Sequence, residues 1–501
     1  MDGNRALTSV WLGGAVLLSF AAALRAQGAP PAPANYELQS PRQAAAPVVA
    51  MQSQPVGRAA ASGGNPFFGS VPQGAATGEA LPLSLAEAID RGLRYNLGTI
   101  LADQGARATR GARLIALSKL LPNVTTRTAE SSQQLSLAAF GFPGLPGIAP
   151  ILGPFGLSDA RARLSQSIFD FRSIQSTRAA SEDAKAADYS SLDARDVVVL
   201  AVTNLYLQSL AGASRVDAAR AQVATAEAVY KQAVDFKQNG LAPVIDVLRA
   251  QVKLQEQRQR LIFFRNEFEK LELGLGRAIG LPDGQLLRLT DAAAFAPMPP
   301  SLTLEEARAR AMGSRRDYQS ALARMHAAEL ARKAAQAGRL PSLDFSGDYG
   351  TIGPSLANSH GTYTAAIGLN IPIFQGGRVR GEVLEADALL EQRRAQLADL
   401  RGQIAFEVRT AFLDLNAAGD QVQVARGAVD LAQQQLTQAQ DRFAAGVTNN
   451  LETIQAQEAV ATAAENYISS LYAYNAAKAA LGRSMGGAEK TIPSLLEGVM
   501  P

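Results

Sequence analysis

Gly240-Leu-Ala-Pro-Val-Ile-Asp-Val-Leu-Arg-Ala-Gln251 and Gly446-Val-Thr-Asn-Asn-Leu-Glu-Thr-Ile-Gln-Ala-Gln457 are two versions of one short passage, 206 residues apart. In each, a long Ala-rich helical pattern runs up to a glycine, and a second helical pattern starts within about five residues. A helix commonly ends on a residue at positive φ, which glycine adopts without strain, so Gly240 and Gly446 read as reversal points. Pro243 and the Asn449–Asn450 pair suit the turn and cap of a returning helix. A tip recurring at a fixed offset predicts two copies of one supersecondary unit.

Outward from the tips, residues 172–235 and 379–443 contain no proline. At 1.5 Å per residue each would span roughly 95 Å, far beyond an ordinary globular helix. Val216, Ala219, Val223, Ala226, Tyr230 and Ala233 alternate steps of three and four residues, as do Val422, Ala425, Val429, Ala432, Leu436, Ala439 and Phe443. That rhythm is a coiled-coil seam, and its many alanines allow close helix approach. The returning helices, about 245–279 and 451–483, are half as long.

Each long helix is preceded by segments that alternate with period two. Tyr363, Ala365, Ile367, Leu369, Ile371 and Ile373 face one way, and Thr362, Thr364, Ala366, Gly368 and Asn370 the other. Leu343, Phe345 and Tyr349 alternate with Asp344, Ser346 and Asp348, and a weaker pair covers Val124–Ser132 and Ala160–Phe169. Strands of about ten residues with one apolar face have the length of a tilted membrane-spanning strand. Leu343, Phe345, Tyr363 and Ile367 would face lipid. Arg161, Arg163, Asp344 and Asp348 would face a lumen, where the arginines either bias anion passage or pair with Asp344 or Asp348. Phe140–Leu157 would be an exterior loop. Each strand pair follows a helix that opens with a capping pattern (Ser84 with Glu87, and Leu302-Thr303-Leu304-Glu305-Glu306-Ala307) and ends at Leu121-Pro122 or Leu340-Pro341.

These readings divide the 501 residues as follows. Residues 1–26, with Arg5 before an apolar run and small residues near Ala26, read as a secretory signal. Residues 27–80, rich in Pro, Ala, Gln and Gly, read as a disordered extension. The two units occupy 81–280 and 302–486, a Pro-rich linker fills 281–301, and 487–501 is a tail. Removing the signal takes the net charge from +3 to +2, which offers nucleic acid nothing. With no cysteine there is no disulfide framework, thiolate metal site or lipidated N-terminal Cys. The two histidines, His326 and His360, have no metal-binding spacing, no nucleophile elbow or phosphate loop occurs, and no cofactor is implied. After the signal, no stretch reads as a membrane-spanning helix.

Four strands cannot close a barrel, and an open sheet edge in lipid leaves backbone groups unpaired at several kcal/mol each. The chain must therefore associate with copies of itself, as an oligomeric β-barrel continued by a long helical tube. At this point the sequence resembles the TolC-type outer-membrane efflux protein family over roughly residues 82–486. The most specific pieces are Ile371-Pro372-Ile373-Phe374-Gln375-Gly376-Gly377-Arg378, similar to the family's strand-to-helix junction, and Phe443-x-x-Gly446 followed by Ala456-Gln457. The resemblance implies an α+β membrane protein: a trimeric outer-membrane β-barrel with four strands per protomer, continued by a coiled-coil α-helical barrel. It implies docking of a periplasmic adaptor and an inner-membrane transporter, either a proton-driven pump or an ATP-driven exporter, at the tips. It also implies that Asp246 and Glu452, each six residues after its glycine, ring the periplasmic entrance, or else serve as solvated first-turn acids. Phe443 and Thr448 stand where the family often has Tyr and Arg, so the family's closing bonds are missing here, and Phe236 stands four rather than three residues before Gly240. The function implied is a passive exit duct for efflux or type I secretion. The alternatives are a periplasmic adaptor, whose lipoyl-like half-motifs are not found, and a structural coiled-coil rod, which salt alone would extract from the envelope.

Overall fold

The computed structural model describes residues 65–141, 147, 149–240, 243–291, 302–448 and 450–496; the signal segment and residues 27–64 lie outside these. In chain order, β1 (Leu81–Leu83), α1 (Leu85–Tyr95) and α2 (Leu97–Ser118) lead into the strands β2 (Asn123–Ser136) and β3 (Ile151–Phe169). Next come α3 (Phe171–Gln238), α4 (Val244–Ala278) and the short β4 (Leu287–Leu289). The same order then recurs as α5 (Leu304–Ser314), α6 (Arg316–Gln336), β5 (Ser342–Gly353), β6 (His360–Asn370), α7 (Arg378–Ala444) and α8 (Asn450–Met485), closed by α9 (Ala488–Leu495).

The long helices α3 and α7 have 68 and 67 residues, roughly 100 Å each. Their partners change along their length. Near the strands α3 lies between α2 and α6, and α7 against α6; toward the tips α3 packs on α4 and α8, and α7 on α8. On α7 the buried residues Ile404, Val408, Ala411, Leu415, Ala418 and Val422 continue the three-four rhythm read from the sequence. Two apolar clusters sit at mid-length. One joins Leu85 and Ile89 to Val198, Val202 and Tyr206 of α3, with Leu275, Ile279, Ile492 and Leu496. The other joins Ala307 and Ala311 to Ile404, Val408 and Leu415 of α7, with Leu471, Leu481 and Met485. Fully burying each large apolar side chain contributes about 1.5–3 kcal/mol, so these clusters anchor the short helices to the long ones.

The sheet is a single antiparallel layer in the order β2-β3-β5-β6, with β2 and β6 as its edges. Both helix-opening capping boxes are formed, Ser84 with Glu87 and Thr303 with Glu306.

The structure departs from the expectations in five places. Each helix read as continuous up to Leu121 or Leu340 is broken, at Asn96 and at Arg315, which stand at the same offset of 219. Asn96 is fully buried. Its side-chain oxygen accepts from the Gly98 N–H at 2.8 Å, and its amide donates to the carbonyls of Phe67 and Ala278 at 2.8 and 3.0 Å. Arg315 is held by Asp317 (3.1 and 2.6 Å) and by Glu407. The extension is not structureless from residue 65 on: Val71 N–H donates to Tyr95 O, Gln73 N–H to Gly280 O and Leu81 N–H to Leu286 O. β1 then pairs parallel with β4, so the early segment is stitched to the inter-unit linker. β3 starts at Ile151, turning part of the expected loop into strand, and the tail forms α9, whose Glu489 N–H donates to buried Asp196. Finally, α3 contains one stretch long and apolar enough to cross a membrane, with mean hydropathy 1.5; 56 % of it is buried within the chain, where it forms the mid-length core.

Burial, with Glu269 one turn away, pushes the Glu272 carboxyl on α4 up to about 7. Its folded-state value is raised, so folding takes up a proton there; the stabilisation is present at low pH and is lost as pH rises through about 7. Glu272→Gln, neutral throughout, is expected to raise Tm at pH 8 and leave it nearly unchanged at pH 5, read by thermal melts of the detergent-solubilised protein. An equal shift at both pH values contradicts the assignment.

Candidate functional site: the hairpin tips and the strand sheet

The two tip glycines take the left-handed conformation that the sequence predicts, while Leu241, Ala242 and Asn449 lie outside the described residues. Gly240 has φ +75° and its N–H donates to Lys237 O; Gly446 has φ +70° and its N–H donates to Phe443 O. A side chain at either glycine would meet open space, so backbone conformation alone calls for glycine there. Pro243 caps α4 in an extended conformation.

The two acids at equivalent positions have different surroundings. Asp246 is buried, 3.4 Å from the Arg249 guanidinium, and its backbone carbonyl accepts from the Asn450 side chain at 3.2 Å. Glu452 is half-exposed and ion-paired with Arg442 at 3.2 Å, across its own tip. Phe443 is buried and packs on Phe236, ring centroids 5.3 Å apart, joining α7 to α3 by apolar contact. Thr448 is half-buried. Further from the tips, buried Lys253 donates to Glu256 at 3.2 Å and to Glu458 of α8, with Arg260 3.8 Å from the same Glu458. Sequence reasoning missed this bridge. Its only signal is a lysine beside the Ala250–Leu254 seam.

At the strand-to-helix junction Gly376 and Gly377 both have positive φ, and Gly377 caps α7. In the first half Asp170 does this work, its carboxylate accepting from the Arg172 N–H at 2.9 Å. Pro372 is half-buried, while Ile373 and Phe374 are 95 % and 89 % exposed. Large apolar side chains this bare within one chain call for a non-aqueous neighbour.

The register sorts the sheet residues onto two faces, since directly opposed residues share a face. Arg163 stands opposite Asp348 and Ser167 opposite Asp344, which puts Arg161, Arg163, Asp344 and Asp348 on one polar face. On the other face Phe345 opposes Ile367, Tyr349 opposes Tyr363 and Leu343 opposes Leu369.

The family model for outer membrane efflux proteins matches residues 102–281 and again 307–487. The chain belongs to this family. A probable efflux pump outer membrane protein, SepC of Pseudomonas putida, is 25 % identical over 402 residues, covering 77 % of this chain and 80 % of that one. The outer membrane protein TolC of Escherichia coli is 23 % identical over 336 residues, 63 % of this chain and 67 % of that one. The fold matches the Campylobacter jejuni CmeC outer membrane channel with a TM-score of 0.70 at 17 % identity, covering 81 % of this chain and 86 % of that one. As a family member the protein is an outer-membrane exit channel and not an enzyme.

In this efflux-family chain the Phe236–Phe443 contact ties the end of α3 to the end of α7. Phe443→Ala is expected to speed limited trypsin cleavage at the flanking Lys237 and Arg442 severalfold, through local opening of the tip. Cleavage sites near mid-length should be unaffected, as read by mass spectrometry of the fragments; unchanged cleavage at the tips contradicts the role.

Proposed function

We propose that three copies of this chain assemble into a passive duct, twelve strands closing a barrel in the outer membrane and the long helices forming a tunnel into the periplasm. The observation that carries this is the open sheet: two edges without a partner strand among the described residues, one polar face, and one face that is mainly apolar on β5 and β6. Four strands from each of three chains reach the size of closed barrels. A second seam supports it. Phe406, Leu413, Val424 and Leu431 lie exposed on α7, spaced by 7, 11 and 7 residues and so by nearly whole helical turns, and Ile245, Leu248, Val252 and Ile262 lie exposed on α4. Such seams suit helix packing between protomers.

In this reading Leu343, Phe345, Tyr363 and Ile367 meet lipid, together with Phe374 at the junction, while Arg161, Arg163, Asp344 and Asp348 line the lumen. The two halves are repeats of one unit, and residues 1–26 direct export. A periplasmic adaptor and an inner-membrane transporter meet the tips around Gly240, Pro243 and Gly446, and the transporter supplies the energy for efflux or secretion. At the entrance both acids pair with an arginine, but Asp246 is buried and Glu452 half-exposed, so the negative ring is carried mainly by Glu452.

Purified protein is expected to run as a trimer and to conduct in planar bilayers, and a folded trimer without conductance overturns the duct. Glu452→Ala should weaken block by multivalent cations applied from the tip side, whereas Asp246→Ala should change it much less. Equal effects would mean that both acids face the entrance.

A further inference from the structure

Three arginines and two aspartates of the polar face stand in adjacent rows of the strand ladder. Arg127 lies directly opposite Arg161, Arg163 opposite Asp348, and Asp159 opposite Ala129. Like charges directly opposed across a strand pair destabilise it, so the Arg127–Arg161 row needs compensation. The Arg161 side chain supplies it by turning away from β2. Its Nε donates to Asp159 Oδ1 at 2.6 Å and its Nη2 to Asp159 Oδ2, and its Nη1 donates to Asp348 Oδ1 at 3.3 Å. Gly350 is the residue opposite Arg161 on β5. A Cβ there would stand 2.1 Å from Ala160 O, 2.6 Å from Arg161 Cα and 2.8 Å from its Cγ, so the close approach of β3 backbone and the Arg161 stem together call for glycine.

One clamped guanidinium therefore occupies both carboxylates. Arg127 and Arg163 are left exposed, and neither forms an ion pair among the described residues. Asp344, two rows nearer the helices, is bonded by Ser342 at 3.4 Å. The free edge of β2 offers no relief when another copy's β6 meets it. The polar face of β6 carries His360, Thr362, Thr364, Ala366, Gly368 and Asn370, with no carboxylate among them.

We propose that Arg127 and Arg163 form a basic belt in the barrel wall that favours anionic solutes, and that Arg161 is the positioning residue that keeps Asp159 and Asp348 from cancelling it. The proposal rests on the polar face being the channel wall. In three copies the belt presents six unclamped guanidinium groups, a net of three positive charges once the surplus carboxylate of each clamp is counted. Charged rings with low-dielectric walls raise the local concentration of counter-ions and so bias permeation.

The test is the reversal potential of the full-length channel in planar bilayers under a KCl gradient. Arg127→Gln with Arg163→Gln, both exposed and unpaired, is expected to leave the trimer intact and to lower the chloride-to-potassium permeability ratio at least about twofold. Arg161→Gln frees two carboxylates and should shift selectivity toward potassium as well. If that variant does not assemble, the exposed pair still decides. A conducting wild type whose ratio is unchanged in the double variant overturns the belt and leaves the duct standing, whereas a wild type that never conducts overturns the duct itself.

Discussion

The outer backbone groups of β2 and β6 find no partner strand among the described residues, and much of the rest of the structure is arranged around that fact. A hydrogen-bonding group left bare in hydrocarbon costs several kcal/mol, and two edges of about a dozen residues each multiply that cost beyond anything a single domain can offset. In the proposed assembly the sheet is one part of a larger closed barrel. Its register fixes which residues share each face. Because side chains alternate with period two, a slip of one residue would exchange Arg163 and Asp348 with Leu164 and Tyr349. The Arg161 clamp over Gly350 pins the register at the point where such a slip would do most harm.

The helices answer a different constraint. A helix roughly 100 Å long cannot be stabilised by one compact core, so α3 and α7 exchange partners at mid-length, where α1, α5 and α9 gather around them. The breaks at Asn96 and Arg315 let α1 and α5 tilt onto the long helices while α2 and α6 run on toward the sheet. The two halves solve this with unlike chemistry: a buried amide with three neutral hydrogen bonds in one, and a buried guanidinium with two carboxylates in the other. A buried charge that loses a partner is costlier than an amide that loses one, so the second break is the more sensitive to substitution.

The tips show the same divergence at smaller scale. The turn glycines are interchangeable, but the acids that follow them are not, since one is enclosed by Arg249 and Asn450 and the other looks outward beside Arg442. An aromatic contact between Phe236 and Phe443 joins α3 to α7 beside the tips. Apolar contact is weakly directional and insensitive to salt, so it holds the tips together without dictating a single angle.

Local chemistry was legible in the chain itself. Gly240, Gly446 and Gly376–Gly377 announce their turns because positive φ is a property of one residue, and Ser84 with Glu87 announces a helix start because a capping box spans four residues. Period-two and three-four patterns likewise gave the strands, the long helices and the faces of the sheet. The tertiary structure alone decided what depends on residues far apart: the break at Asn96, whose partners are Phe67 and Ala278; the ordering of 65–80 against the linker; the burial of Asp246; and the exposure of Arg127. The physical reason is range. Propensity and pattern act over a few residues, whereas burial and charge pairing depend on which distant segment arrives alongside, and that is set only when the whole chain has packed.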